Sequence, residues 1–305
     1  IDFTFASKRG TVPNGNASAS VPVTVSVVTP VASNSNLSAP PEGTQIVPVV
    51  VHATGIGAEF VSDVRVVNRS SQAITYDLIF VPTQSNGTET GKKTTITVQP
   101  NQTYALEDVL KNWYGEGAAT EGTKGLLEIR PSSTAGAAGA ATAGSSRTYA
   151  KTAGGTLGQF IPGIPLSSFI GTSGDPKANV LSLQQIAQSS SYRTNLGLVE
   201  GTGQPVTVGI SVFDDAGQKL GEFTESLQAG EHRQLDQYLS SKGISVTDGR
   251  IEVRAISGAG RITAYASVID NATSDPLLVV PAHTSDGAAS RYVVSGLAAL
   301  QNQFA

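Results

Sequence analysis

The sequence predicts an all-β chain of two tandem antiparallel β-sandwiches preceded by a lone N-terminal strand. Three observations carry that expectation. Apolar and polar residues alternate in short runs divided by Gly, Asn, Asp and Pro, the pattern of strands with one buried face. A long internal repeat splits most of the 305 residues into two similar halves. Outside both halves, "SVPVTVSVVTPVAS" at residues 20–33 places Val21, Val23, Val25 and Val27 on one face of an extended strand.

The repeat is built from four blocks in the same order. Residues 60–81 align without a gap against 192–213, setting Phe60 on Tyr192 and Val66-Val67 on Leu198-Val199. "QPNQTYALEDVL" pairs with "QAGEHRQLDQYL", so that Leu106 falls on Leu235 and Leu110 on Leu239. "GLLEIR" pairs with "GRIEVR", and the stretch from Tyr149 to Pro162 pairs with that from Tyr265 to Pro281. The expected organisation is an N-terminal extension with a donor-type strand and linker (1–44), a first sandwich (45–170), its duplicate (175–283) and a C-terminal tail (284–305).

Within each half the elements follow from local chemistry. Residues 206–227 read as a hairpin whose alternation is interrupted by Asp-Ala-Gly. Leu106, Val109 and Leu110, and their counterparts Leu235, Tyr238 and Leu239, recur at helical spacing and predict one short helical turn per half. "SSTAGAAGAATAGSS", 132–146, reads as a small-residue loop inserted between two strands of the first half. In overall pattern the halves, over about 45–166 and 175–282, resemble the immunoglobulin-like and fibronectin-III-like modules of secreted bacterial proteins.

Composition narrows the function classes. A net charge of -4 with no Lys/Arg run gives no basic surface for nucleic acid. No run of 18 apolar residues predicts a membrane span. Cysteine is absent, which removes disulfides, thiolate metal sites and cysteine nucleophiles. Methionine is absent too and Ile1 stands first, so the chain reads as a mature product whose leader has been removed, and hence as extracellular or cell-surface. Asn-x-Ser/Thr triplets are expected by chance in a chain so rich in these residues.

No catalytic constellation, metal site or cofactor cradle is predicted. His52, His232 and His283 lie in strand, turn and tail segments, and no G-x-S-x-G elbow occurs. Asp214 and Asp215 are adjacent, which suits a hairpin turn rather than the alternating ligands of a calcium loop. Glu128 and Glu252 occupy matched positions between aliphatics and read as the polar face of a strand. Trp113 and Tyr114 stand beside a glycine-rich loop. They are either a surface aromatic platform for glycans or a plug closing the end of a sandwich, and the plug is the preferred reading.

The N-terminal strand has two readings. It pairs within its own chain, or it is donated to a neighbouring copy and completes that copy's sheet. Pro22 and Pro30 fall on the same edge, leaving residues 23–29 free to pair on both sides. Residues 32–43 extend to about 40 Å at ~3.3 Å each, far enough to reach a neighbour. Ile1, Phe3 and Phe5 also alternate, and Val31 continues the apolar face. In this respect the chain resembles donor-strand pilus and surface-fibre subunits, while lacking their cysteines. That resemblance implies a non-enzymatic subunit of an extracellular filament whose partners are copies of itself in a head-to-tail polymer. The alternative from another class is a monomeric secreted adhesin or glycan-binding module using Trp113 and Tyr114.

Overall fold

Alternation becomes strand wherever one face finds a core. The computed structural model describes residues 37–55, 58–116, 123–132, 142–152, 155–174 and 179–283. In the first half these form β1 (Gln45–Gly55), β2 (Ala58–Asn68), β3 (Ile74–Pro82), β4 (Lys92–Val98), β5 (Thr103–Leu106), β6 (Thr123–Pro131), β7 (Thr142–Thr152), β8 (Gly155–Pro162) and β9 (Ile164–Pro165). In the second they form β10 (Leu181–Gln188), β11 (Tyr192–Glu200), β12 (Val206–Asp214), β13 (Lys219–Leu227), β14 (His232–Leu235), β15 (Val246–Gly258), β16 (Ile262–Asp270), β17 (Pro276–Val279) and β18 (Ala282–His283). Among the described residues short helices interrupt them: α1 (Gly87–Thr90), α2 (Val109–Tyr114) and α3 (Tyr238–Ser241). The strand pairings among the described residues are all antiparallel, so the chain is all-β.

The strand order of the first nine strands recurs in the next nine. β13-β12-β15-β10-β18 form one sheet and β14-β11-β16-β17 another. Subtracting nine from each label gives β4-β3-β6-β1-β9 and β5-β2-β7-β8, the neighbours found in the first half. One difference separates the halves. β1 pairs with β6 through its first part and with β2 from His52 to Gly55, so nine strands join in one folded sheet. The register slips between Val47 and Val50, around Pro48, which has no N–H to give. In β10 the corresponding strand stays in one sheet, and Thr194 Oγ1 instead bonds the Ala187 carbonyl at 2.6 Å.

Burial explains which strands alternate. On β12, Val206, Val208, Ile210 and Val212 enter the second core, which also takes Leu196 and Leu198 from the opposite sheet. Residues 78–81 of β3 are apolar on both faces. Ile74, Tyr76, Leu78 and Phe80 enter the first core, while Ile79 and Val81 pack outward against Leu126, Ile46, Leu166, Phe169 and Val199. That outer face is covered by the segment between the halves and by residues 37–44. Leu37 packs on it and its N–H bonds the Thr88 carbonyl at 2.8 Å, and Arg130 reaches the Ser38 carbonyl at 2.8 Å. Only residues 32–36 of the expected 32–43 linker therefore lie outside the described structure, and the tether from Val31 to Leu37 can reach at most about 20 Å at ~3.3 Å per residue.

The same cover corrects the reading of Glu128. It is buried rather than on a polar face, and Arg130 Nε holds it at 2.5 Å. Burial pushes its carboxyl above the usual range, and Arg130 opposes that. The expected loop at 132–146 is also shortened. Residues 142–146 belong to β7, paired with β2 from Thr142↔Asn68 onward, and residues 133–141 lie outside the described structure.

The two halves touch through the outer face of β14-β11-β16-β17. Tyr265 on β16 joins the first core, its ring lying over Gly197, where any Cβ would collide with it. Gly87 N bonds the Ala229 carbonyl at 2.8 Å and Gln84 N the His232 carbonyl at 2.7 Å. A Cβ on Gly87 would strike the Gly230 carbonyl oxygen. Glycine is required there by the closeness of the two backbones.

Candidate functional site

The turn before each short helix is built the same way in both halves. Asp108 and Gln237 take left-handed backbone at φ 44 and 49. The N–H of Asp108 bonds Asp63 Oδ1 at 2.9 Å, and the N–H of Gln237 bonds Asn195 Oδ1 at 2.8 Å. Asp63 and Asn195 are matched positions of the repeat. A strained backbone held by a matched side chain in both copies is a device of the fold.

In the first half this turn carries extra charge. His52 Nδ1 lies 2.7 Å from Asp108 Oδ1 and its Nε2 lies 3.6 Å from Glu59. Tyr149 OH donates to Asp63 Oδ2 at 3.1 Å, and Glu107 is paired to Arg65 at 2.5 Å. Burial, followed by the neighbouring Asp63, pushes the Glu107 carboxyl upward. An Asp–His pair needs a hydroxyl on the other imidazole nitrogen to attack a carbonyl. Here that nitrogen faces a carboxylate, and Ser62 Oγ is engaged by Val51 N–H and Thr148 Oγ1. The arrangement orders a turn and does no chemistry of that kind.

The second histidine is fully buried. His232 Nε2 meets Tyr265 OH at 2.9 Å, and Tyr265 OH donates to Gln234 Oε1 at 3.0 Å. The two rings stack at 6.1 Å with 7° between planes. Since the phenol donates onward, His232 carries its proton on Nε2, and Nδ1 has no partner. Burial pulls its pKa down to about 3, so the ring is neutral. His283 pairs with Leu181 in β18. Among the described residues no group of three His, Asp or Glu side chains could hold a metal ion, and no helix is long and apolar enough to cross a membrane.

A cleft of about 550 Å³ opens between the halves. One wall is largely apolar, with Val49, Val51, Phe60 and Leu157; the other carries Arg193, Asn195, Gln234, Asp236 and Gln237 from β11, β14 and the turn after it. Lys124 crosses it to Asp236 at 3.1 Å. Its two walls come from opposite halves, so no single stretch of sequence announces it.

Trp113 and Tyr114 do not reach that cleft or the surface. Trp113 is 8% exposed and packs edge-on to Tyr104, with centroids 5.8 Å apart; Tyr114 donates its hydroxyl to the Leu78 carbonyl at 2.9 Å. Both belong to the first core. The geometry is that of the plug rather than of a surface platform, because α2 lays its apolar face over the open end of the strand layers. Val21, Val23, Val25, Val27 and Val31, with Ile1, Phe3 and Phe5, lie outside the described residues.

The sheet edges differ sharply in chemistry. β4 carries Lys92 and Lys93, and β13 carries Lys219, Glu222 and Glu225, charges of the kind that discourage strand pairing at an exposed edge. β5, β14 and β17 have four residues each. β8 has eight and no charge at all, with Phe160 64% and Leu157 42% exposed. It pairs with β7 along its whole length, and β17 packs beside it with no backbone bond between the two strands. β17 brings exposed Leu277 to this region.

No protein-family model matches the chain, and no curated protein matches it. Among solved structures, the chain has a likeness to the Bacteroides uniformis beta-glucuronidase 2 covalently bound to cyclophellitol-6-carboxylate aziridine. The identity is 7%, the TM-score is 0.14, and the match covers 77% of this chain and 25% of that one. The chain thus spans about a quarter of that protein's length, and a likeness so slight carries no argument about fold or activity.

Proposed function

We propose that the chain is an exported structural subunit of an extracellular filament or surface fibre, without enzymatic activity, that polymerises by donating its N-terminal strand to the next copy. Each half is read as an immunoglobulin-like sandwich, over 45–170 and 175–283. One observation carries the proposal. Among the described residues the two halves match strand for strand, nine against nine, so we read the alternating segment 20–31 as a strand additional to the repeated plan. A strand with one apolar face needs a sheet to bury it, and a second copy offers one. Head-to-tail donation repeats without closing and gives a fibre.

The test is the full chain carrying Val23→Asp and Val25→Asp. Folded monomers and no fibres are expected by gel filtration and negative-stain microscopy. Fibres of normal length from this variant would remove the proposal. A second reading, an adhesin or glycan-binding module, is favoured by the cleft, whose apolar wall and amide-rich wall suit a sugar ring. It predicts glycan-array binding by a monomer, lost on Gln237→Ala and Phe60→Ala but unaffected by changes at Val23 and Val25.

A further inference from the structure

We propose that β8 is the acceptor edge: residues 20–31 of a second copy pair along residues 156–162 and extend the layer β5-β2-β7-β8 by one strand. The inference rests on the filament reading and deepens it by naming the surface that receives the strand.

Three observations on this chain point to that edge. First, β8 is long and uncharged where the other long edges are guarded. β4 and β13 present lysines and glutamates, and the remaining edges are four residues or shorter. An unguarded edge of this length is the kind that accepts another strand. Second, the lengths agree. The stretch 23–29 between the two prolines offers seven residues able to pair on either side. Residues 156–162 present seven with no ladder partner beyond β7 among the described residues, β17 lying beside them without pairing. Third, the chemistry agrees. The sequence carries no charged residue from Gly10 to Pro41 and none from Thr152 to Leu166, so neither segment brings a charge of its own to the pairing, although Arg147 of β7 reaches over to donate to Thr156 Oγ1 at 2.6 Å. Phe160, 64% exposed, supplies apolar surface on one face of β8 for the valines to cover, while Leu157 lies on the opposite face, in the cleft wall.

The donor's origin fits a second copy. Leu37 is fixed beside Thr88 and Arg130 holds Ser38, so the segment leaves the body from one defined point. A tether of at most about 20 Å then allows the donor segment to reach beyond the body at that point. The edge itself has no motif in the sequence. Its lack of charge is visible there, but its position at the border of a layer is not.

The absence of cysteine allows a direct experiment on the full chain. Val25→Cys is combined in turn with Thr156→Cys, Leu157→Cys, Gly158→Cys, Gln159→Cys and Phe160→Cys, and in control chains with Thr224→Cys on β13 or Thr95→Cys on β4. After mild oxidation, denaturing gels are expected to show a ladder of covalent multimers for at least one β8 position and none for the controls. In parallel, Phe160→Lys, at a side chain already in solvent, is expected to keep the thermal transition of the parent chain and to abolish fibres. Ladders from the β13 or β4 controls, or normal fibres from Phe160→Lys, would overturn the assignment to β8. If, besides, Val23→Asp with Val25→Asp still abolishes fibres, the donated strand stands and only its acceptor changes. If the parent chain forms no fibres and no ladder, both the assignment and the filament reading fall.

Discussion

Replacing Glu200 by Gln tests how the two halves are pinned together. The Glu200 side chain is fully buried at the end of β11 and accepts six hydrogen bonds. Oε1 takes Thr202 N–H at 2.7 Å, the Thr202 hydroxyl and Arg261 N–H at 3.2 Å. Oε2 takes the N–H groups of Gly203, Gln204 and Gly230 at 2.9, 3.1 and 2.7 Å. These bonds gather the loop after β11, the loop before β14 and the start of β16. The second of those loops is the one that touches Gly87. An amide sets its NH₂ group against three N–H donors on the Oε2 side, or against two N–H donors beside the Thr202 hydroxyl on the Oε1 side. Each bond to a charged acceptor contributes about 1.5–3 kcal/mol, and the remaining donors would be stranded without water. Relief from burying a charge offsets part of this loss, leaving about 3–5 kcal/mol, the range for breaking a buried charged network. The assay is urea unfolding of the full chain followed by tryptophan fluorescence, since Trp113 lies in the first core. A drop below about 1 kcal/mol would refute the reasoning, because it would mean that the bonds counted here are not made in solution.

Three further outcomes follow from the same contacts. His232 has a folded-state pKa of about 3, against 6.5 for the free side chain, because it is buried. The unfolded chain therefore binds the proton first, and stability is lost as pH falls from about 6.5 toward about 3, by as much as about 5 kcal/mol. In His232→Gln that part of the slope should vanish, and an unchanged pH profile would contradict the neutral, buried ring. Gly87→Ala forces a methyl into the Gly230 carbonyl and should cost about 1–3 kcal/mol by calorimetry; a neutral result would mean that the halves are not in contact there. Trp113→Ala should destabilise by about 3–5 kcal/mol, as for a large aromatic removed from a core. It should leave any glycan binding by the folded protein unchanged, and a selective loss of binding would restore Trp113 as a platform.

Much of the architecture is legible in the sequence because the repeat is legible. β11 and β12 alternate cleanly, the turn of the 206–227 hairpin is closed by Gln218 N–H on Asp214 Oδ1 at 2.7 Å, and both short helices are found, starting at Val109 and Tyr238, although Leu106 and Leu235, expected within them, end the strands β5 and β14 instead. What is hidden is everything that depends on which face meets which half. Residues 78–81 of β3 are apolar on both faces because the outer face there is covered by Leu37, Leu166 and Phe169, contacts distant in sequence. Glu128 reads as a surface residue for the same reason, since only Arg130 and the docked segment 37–44 make its burial tolerable. The small residues 142–146 resemble a loop, yet they form strand, and Gly144 leaves room for Ile129. Trp113 carries both readings in the sequence, and its contact with Tyr104 decides between them. The cleft and the β8 edge are properties of assembly, invisible until both halves are in place.

The central claim is that the alternating valines of one copy are held by another copy. Negative-stain microscopy of the full chain at increasing concentration, read beside its mass from sedimentation, tests it most directly. The account predicts unbranched fibres of uniform width that lengthen with concentration and are absent from the Val23→Asp, Val25→Asp chain. A single species with the mass of one chain, 31.3 kDa, at every concentration would contradict it.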